Sequence, residues 1–536
     1  MSTQADTRTA VERRLSRSFR LKIVGKGALV GLFAGALVTL YRLALSNAEK
    51  LLRFITTAIA QNYALIALWF GILVLLALVV SLLVRWEPYT ASSGIPQTQA
   101  DVAGHYNLPW HKIIVAKFIE GTLVAFAGLS MGREGPSVQL GGMAGKGVAR
   151  FFKTKRGEEH ILVTCGAASG MAAAFHAPLT GIVFALEEMQ KIFSAPLITA
   201  VMAAAVTSDF FVSQVLGVKP VLSLHFVSHL PHIDYIIVII MGICLGVLGA
   251  LHNVGMFFAQ DLYTKLTYKA PFSRYLIPFL AAGVVAFTVP ALLDGGDALF
   301  EIIQDPYVEP LTLLVALLIG KYFLTTLAFG SGVPGGTLFP LVVMGALAGT
   351  IFGRVVTEMT GVSYAYVTNY IALGIAGLFA GVIRAPITGV VLVFELTGSF
   401  SSLLSAVLVS IVAYLVADQM NVDAFYEHLF AKMLGRHNRD DYDSRIHSSE
   451  KLLRSHIVST NSMAAHKLIS EISWPESTLV VSIDRAGTEL IPSGHTRIEP
   501  LDRLIVLMDE KTETDSQRKL RAICAEDYVP DQSGDI

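Results

Sequence analysis

Two short, interrupted apolar segments of this chain carry the same signature. His176, Ala177, Pro178, Leu179, Thr180 and Gly181, with Glu187 beyond them, return 208 positions later as Arg384, Ala385, Pro386, Ile387, Thr388 and Gly389, with Glu395 beyond them. Upstream, Gly132, Gly135 and Gly145 return as Gly332, Gly335 and Gly345 at an offset of 200. The chain therefore reads as two similar halves fused end to end. Many of its apolar stretches, such as 134–150, 178–192 and 386–397, are short and bounded by Gly and Pro. A 15-residue helix covers about 22 Å, less than the roughly 30 Å of a hydrocarbon core. Such breaks leave backbone groups free at membrane depth, which is tolerable only where they line a site or cavity. Repeats with paired broken helices place that site near the midplane, between the halves.

Lipid as the solvent follows from composition. Hydrophobic residues make up 53% of the chain, and only 15% are charged, which excludes an ordinary soluble enzyme. The charge is uneven: 30 of the last 100 residues are Asp, Glu, Lys or Arg, against 53 of the first 436. A long membrane part thus precedes a short aqueous one. A net charge of −1 predicts no nucleic-acid partner. Cys165, Cys244 and Cys524 lie too far apart to imply a disulfide framework or a metal cluster. Arg8, Arg13, Arg14, Arg17, Arg20, Lys22 and Lys26 precede the apolar stretch 27–45, which reads as a first membrane helix rather than a signal peptide, with the N-terminus cytoplasmic.

Three glycine-bearing segments can each open a helix: Ser93, Gly94, Ile95, Pro96; Gly132, Arg133, Glu134, Gly135, Pro136; and Gly332 to Pro340, which includes Gly335, Gly336, Thr337 and Leu338. Helix starts present free N–H groups and the positive end of the macrodipole, and glycine lets a ligand approach the backbone. That favours a small anion held by partial charges, able to leave as readily as it enters.

These three segments, in this order and spacing, resemble the CLC chloride channel and transporter family over about residues 20–435. The resemblance implies an all-α polytopic membrane protein, an inverted repeat of broken helices, assembled as a homodimer with one anion pathway per subunit. Position by position, it makes Ser93 a hydroxyl donor to the central chloride, Thr337 and Leu338 backbone N–H donors, and Tyr426 the phenol that closes the inner side. Glu134 becomes the external gating glutamate. Serine at 93 matches the chloride-selective branch, where proline implies nitrate and methionine fluoride. Two positions depart from the family: Ser92 stands where glycine is usual, and Leu338 where phenylalanine is usual. Backbone donation survives the second change, while a pore-lining aromatic contact is lost.

The chemistry at Glu134 also follows from its place. A carboxylate at a helix start among anion-binding amides occupies the position an incoming anion would take, and protonation releases it. Against this stands plain helix capping. Exchange needs a second proton site, for which Glu187 and Glu188 are the candidates. Glu187 has a repeat counterpart in Glu395, whereas Glu188 is matched by Leu396. A residue present in both halves serves the architecture, so Glu188 is the internal proton glutamate; it also falls where exchangers of the family carry glutamate and channels do not. Lys117, inside an apolar segment, either raises the local potential for anions, snorkels to an interface or pairs with Glu120. Arg133 either shapes the vestibule or is solvated. Arg384 and His176, at equivalent repeat positions, read as structural.

After residue 435 the pattern turns to a charged linker and short strands at 456–459, 478–483 and 504–508, with a helix at 463–470. Gly487 to Gly494 and Asp502 to Val506 resemble the C-terminal subdomain of RCK potassium-transport regulators, the TrkA-C type. This implies a small cytoplasmic α/β module that regulates or dimerises and whose small ligand is unidentified. The expected organisation is a cytoplasmic segment 1–20, a transmembrane domain 21–435 made of repeats 21–230 and 231–435, a linker 436–454, the TrkA-C-like domain 455–528 and a tail 529–536. A proton-coupled chloride antiporter of a bacterial inner membrane, with both termini cytoplasmic and no cofactor, is the leading reading, its partners chloride, protons and lipid. A passive chloride channel is the alternative. A transporter of another ion that merely shares the tail would need acidic rings or exposed carbonyls at the midplane. An intramembrane metalloenzyme finds no HExxH.

Overall fold

The computed structural model describes residues 2–191, 193–217, 226–227, 234–267, 272–304, 309–361, 363–435, 451–460, 462–485, 488–509 and 513–524. It divides into two compact units, Met1–Met433 and Leu434–Ile536. The side chains of Arg8, Arg13, Arg14 and Arg17, most of the charged linker, Gly487 and the tail from 529 lie outside the described residues.

The first unit is helical. Among the described residues eight helices are long and apolar enough to cross a membrane, the first running over Arg20–Ile59, well past the expected 27–45. Burial sorts them. Only 28% of the most apolar window of Tyr63–Trp86 is covered by protein, against 89% for Tyr364–Ile383, so the former faces lipid and the latter forms the centre. Between the spans lie short helices, including Ile95–Val102, Pro178–Phe184, Asp297–Gln304 and Pro386–Thr397, none of which reaches across a bilayer.

Apolar side chains gain little by leaving lipid for one another, so these helices associate through close backbone approach. Gly27, Gly31 and Gly35 of the first helix lie against Ala200, Ala204 and Ser208 of Ala195–Leu216, where a Cβ on any of them would come within 3.0 Å of the facing backbone. The same device recurs in both halves. Glu134–Phe151 crosses Arg156–Phe175 with Gly141 against Gly166 and Gly145 against Leu162. Leu338–Thr360 crosses Val367–Ile383 with Gly345 against Gly374 and Gly349 against Tyr370. These contacts make Gly145 the mate of Gly349 rather than of Gly345, an offset of 204 in place of the 200 expected from sequence. Small residues repeat every four positions along both helices, so the sequence aligns almost as well one helical turn out of register.

The second unit is a four-stranded antiparallel sheet, β1 (Lys451–Ile457), β2 (Thr478–Arg485), β3 (Thr488–Leu490) and β4 (Arg503–Asp509), in the order β1-β4-β2-β3. Ile483 of β2, with Leu504, Val506 and Met508 of β4, buries one face with Leu520 and Ile523 of the helix Glu513–Cys524. The first strand begins earlier than the expected 456–459. The helix expected at 463–470 is absent: His466 N donates to Ile498 O at 2.8 Å, Ile469 N to Thr496 O at 3.0 Å, and Ile498 N to Lys467 O at 2.9 Å. These pairings with a distant loop satisfy the backbone groups a helix would have used.

Candidate functional site

The three glycine-bearing helix starts meet at one place in the first unit. Gly132 and Gly336 exchange both backbone bonds, N to O at 2.6 Å and 2.7 Å, in a symmetric bridge between the halves. Ser92 N donates to Gly332 O and Gly335 N to Ser92 O, both at 3.1 Å, which ties the third segment to the first. Gly94 takes φ +89° to open Ile95–Val102, and a Cβ there would strike the Gln139 side chain. Ser93 is fully buried, and its Oγ accepts from Ile95 N at 3.1 Å, so the hydroxyl proton remains free to point at a ligand. Thr337 immediately precedes Leu338–Thr360 without a side-chain capping bond, and both Thr337 and Leu338 are buried.

Glu134 opens Glu134–Phe151 and is fully buried. Its Oε2 accepts from Phe339 N at 3.2 Å, while Oε1 has no hydrogen-bond partner among the described residues. The carboxylate thus accepts from one backbone amide at the start of the opposite half's helix, a kind of group that also binds anions. Arg133 Nε lies 3.9 Å from Glu134 Oε1, and its guanidinium lies 5.3 Å from the centre of the Phe339 ring. Arg133 is therefore neither freely solvated nor bidentate; it covers Glu134 on one side.

On the other side Tyr426 is fully buried, packed edge-on to Phe184 with ring centres 6.5 Å apart. Its hydroxyl faces the Thr337 side chain without reaching hydrogen-bond geometry, and stays unpartnered among the described residues. Beyond Phe184 the chain takes a single π turn, Ala185–Gln190, whose Glu188 is buried and whose Glu188 carbonyl accepts from Gln99 Nε2 at 3.0 Å. The two neighbouring glutamates separate by geometry. Glu187 accepts from Ile387 N at 3.1 Å and from Thr388 N and Oγ1 at 2.7 Å. Glu395 accepts from Leu179 N and Thr180 N at 2.8 Å and from Thr180 Oγ1 at 2.6 Å. Each caps the broken helix of the other half. Among the described residues Glu188 makes no such bond; Lys191, Glu427 and Glu187 face it.

Lys117 does not snorkel. Fully buried, it donates to Thr90 O at 2.7 Å and to Ser92 O at 2.6 Å, pinning the backbone beside Ser93. Glu120 binds the Thr90 hydroxyl at 3.0 Å and faces the Lys117 charge. His176 and Arg384 are helix-ending residues with φ +57° and +68°, His176 Nδ1 lying 2.9 Å from Asp209 Oδ1. Sequence reasoning missed Lys321, which donates to Leu292 O at 3.2 Å and Asp294 O at 2.7 Å in the second half. Its position 204 residues after Lys117, inside a similar apolar helix, was the available signal.

Comparison with known proteins identifies both units. Residues 75–418 match the family model described as voltage gated chloride channel, well over half of the chain. The chain belongs to that family, the CLC family. Residues 453–514 match the TrkA-C domain, which is therefore the second unit's sheet. The H(+)/Cl(−) exchange transporter ClcA of Vibrio cholerae is 32% identical over 358 residues, 65% of this CLC chain and 76% of the relative. The protein of the same name from Vibrio parahaemolyticus is 30% identical over 439 residues, covering 79% and 93%. Among solved structures, that of a slow cyanobacterial Cl−/H+ antiporter superposes with a TM-score of 0.72 at 26% identity, covering 78% of this chain and 99% of its own.

Proposed function

We propose that this CLC protein exchanges chloride for protons across a bacterial inner membrane, as a homodimer with both termini cytoplasmic. The relatives named above are exchangers, which favours antiport over a passive channel. The observation that carries the reading is the Glu134 carboxylate on the amide of Phe339, beside Ser93, Thr337 and Tyr426. In this reading the Ser93 and Tyr426 hydroxyls and the Thr337 and Leu338 amides hold the central chloride. Glu134 yields its place to an anion when protonated, so each anion that enters the gate position displaces a neutral carboxyl group. Glu188, buried on the Tyr426 side and spared from capping, takes the proton from the cytoplasm. The TrkA-C domain regulates or dimerises the protein in response to a small ligand.

The test uses purified protein in liposomes with a chloride gradient, voltage clamped by valinomycin and potassium, and a pH electrode outside. Proton movement against its gradient that disappears in Glu188→Ala, while chloride flux persists, supports the exchanger and the inner site. Chloride flux without proton movement makes the protein a channel.

A further inference from the structure

The second half contains a counterpart of the Ser93 loop to which the exchange cycle gives no role. Ser92, Ser93 and Gly94 precede the eight-residue helix Ile95–Val102; 202 positions later Asp294, Gly295 and Gly296 precede the eight-residue helix Asp297–Gln304. The backbones correspond. Ser92 and Asp294 have φ +60° and +53°, Gly94 and Gly296 φ +89° and +110°. Ser92 N donates to Gly332 O at 3.1 Å and Asp294 N to Gly128 O at 3.4 Å, while Lys117 and Lys321 hold the two loops alike.

The chemistry of the two loops differs, because carboxylates stand in the second where the first has Ser92 and Ile95. Asp294 and Asp297, joined by Glu49 of the first helix, line a pocket of about 30 Å³ with Tyr41, Arg133 and Phe339. That volume suits a water molecule. Phe339 is the residue whose N–H holds Glu134, so the pocket lies against the gate. Asp294 is 5% exposed, and its Oδ1 has no hydrogen-bond partner among the described residues. A buried, unpartnered carboxylate oxygen beside a water-sized pocket is a place for a proton or a water that carries one. Three carboxylates do not suit chloride, and no group of three His, Cys, Asp or Glu among the described residues is arranged for a metal ion.

We infer that Asp294, assisted by Glu49 and Asp297, is the proton-loading site on the Glu134 side, passing protons between external water and Glu134. The inference rests on the antiport reading. A hydronium O–H bond breaks as the Asp294 O–H bond forms; that bond then breaks as Glu134 gains a proton through pocket water, with no electron transferred. The groups facing this site are Tyr41, Arg42, Glu49 and Arg53 from the first helix, Arg133 and Glu134 from the gate, Asp297, and Lys321 from Leu311–Gly330. Arg53 and Lys321 compensate the charge of Asp294 when it is ionised, and the remaining acidic groups draw protons toward the pocket.

The test measures chloride-driven proton transport by the full-length protein in liposomes as external pH varies, for wild type, Asp294→Asn and Glu49→Gln. Loss of electrostatic collection slows proton capture by about tenfold or more. Asp294→Asn is therefore expected to lose about that factor at external pH 7.5 and to recover toward wild type at pH 5, with Glu49→Gln showing a smaller loss of the same kind. Chloride flux in a Glu134→Gln background should be the same with and without Asp294→Asn. An unchanged external-pH profile in both single variants overturns the proposal, as does an equal fractional loss of chloride flux in the Glu134→Gln background. Wild-type chloride flux without proton movement removes the antiport reading and the proposal with it, and is recognised without any substitution.

Discussion

Replacing Glu187 by alanine separates architecture from proton transfer at adjacent positions. The substitution removes three hydrogen bonds to the start of Pro386–Thr397: those from Ile387 N, Thr388 N and Thr388 Oγ1. Loss of a capping side chain costs about 0.5–2 kcal/mol, and the net contribution of a hydrogen bond to a charged acceptor is about 1.5–3 kcal/mol. Ile387 is exposed, so its amide can recover a partner, whereas Thr388 is buried and cannot. The expected loss is about 2–3 kcal/mol. Glu395→Ala should cost about the same, because it breaks the mirror-image set at Leu179 and Thr180. Both sets tie together the same packed pair of short helices, Pro178–Phe184 and Pro386–Thr397, so the departure of the double variant from the sum measures their coupling. Thermal unfolding of the detergent-solubilised protein measures the stability, and the liposome pH electrode measures the chloride-to-proton ratio, which should not change. A Glu187→Ala protein of unaltered stability that moves chloride without protons would refute the reasoning and assign the proton to Glu187.

Three further outcomes are expected. Lys117→Met leaves the carbonyls of Thr90 and Ser92 without their donor and removes a buried positive charge beside Ser93, so chloride affinity measured calorimetrically should fall about tenfold, or about 1.4 kcal/mol; unchanged affinity would detach Lys117 from the site. Gly31→Leu drives a side chain into the backbone of Ala204 and should prevent recovery of folded protein by size-exclusion chromatography, whereas the same change at Gly25, with open space around it, should be tolerated. Burial pushes the Cys524 thiol up to about 11, so at pH 8 almost none of it is thiolate and a thiol reagent should label it only after the TrkA-C domain unfolds.

Much of this molecule was legible without coordinates, for identifiable reasons. Uneven charge and long apolar runs fixed the solvent of each part, because burying a charge in lipid is costly wherever the charge sits. Glycine and proline marked Gly94, Gly132 and Gly336 as helix starts because only a few backbone conformations permit such breaks. Glu187 was separable from Glu188 because a capping bond duplicated in two halves leaves a duplicated residue. The register of the repeat was not legible: glycines recurring each turn permit a four-residue slip, and only the crossings Gly141 on Gly166 and Gly345 on Gly374 resolve it. Once resolved, that register pairs Lys117 with Lys321, and the matching loop before them, two residues out of step at an offset of 202, sets Ser92 against Asp294. The lysine's direction was also open, since an apolar helix allows Lys117 to reach an interface or turn inward, and the nearby loop carbonyls decided it. Sequence determines which residues can break, span or bind, because those are properties of each residue and its immediate neighbours. Which helix start faces which carboxylate depends on segments some 200 residues apart, and only their packing brings Glu134 onto Phe339 and Asp294 to the same pocket.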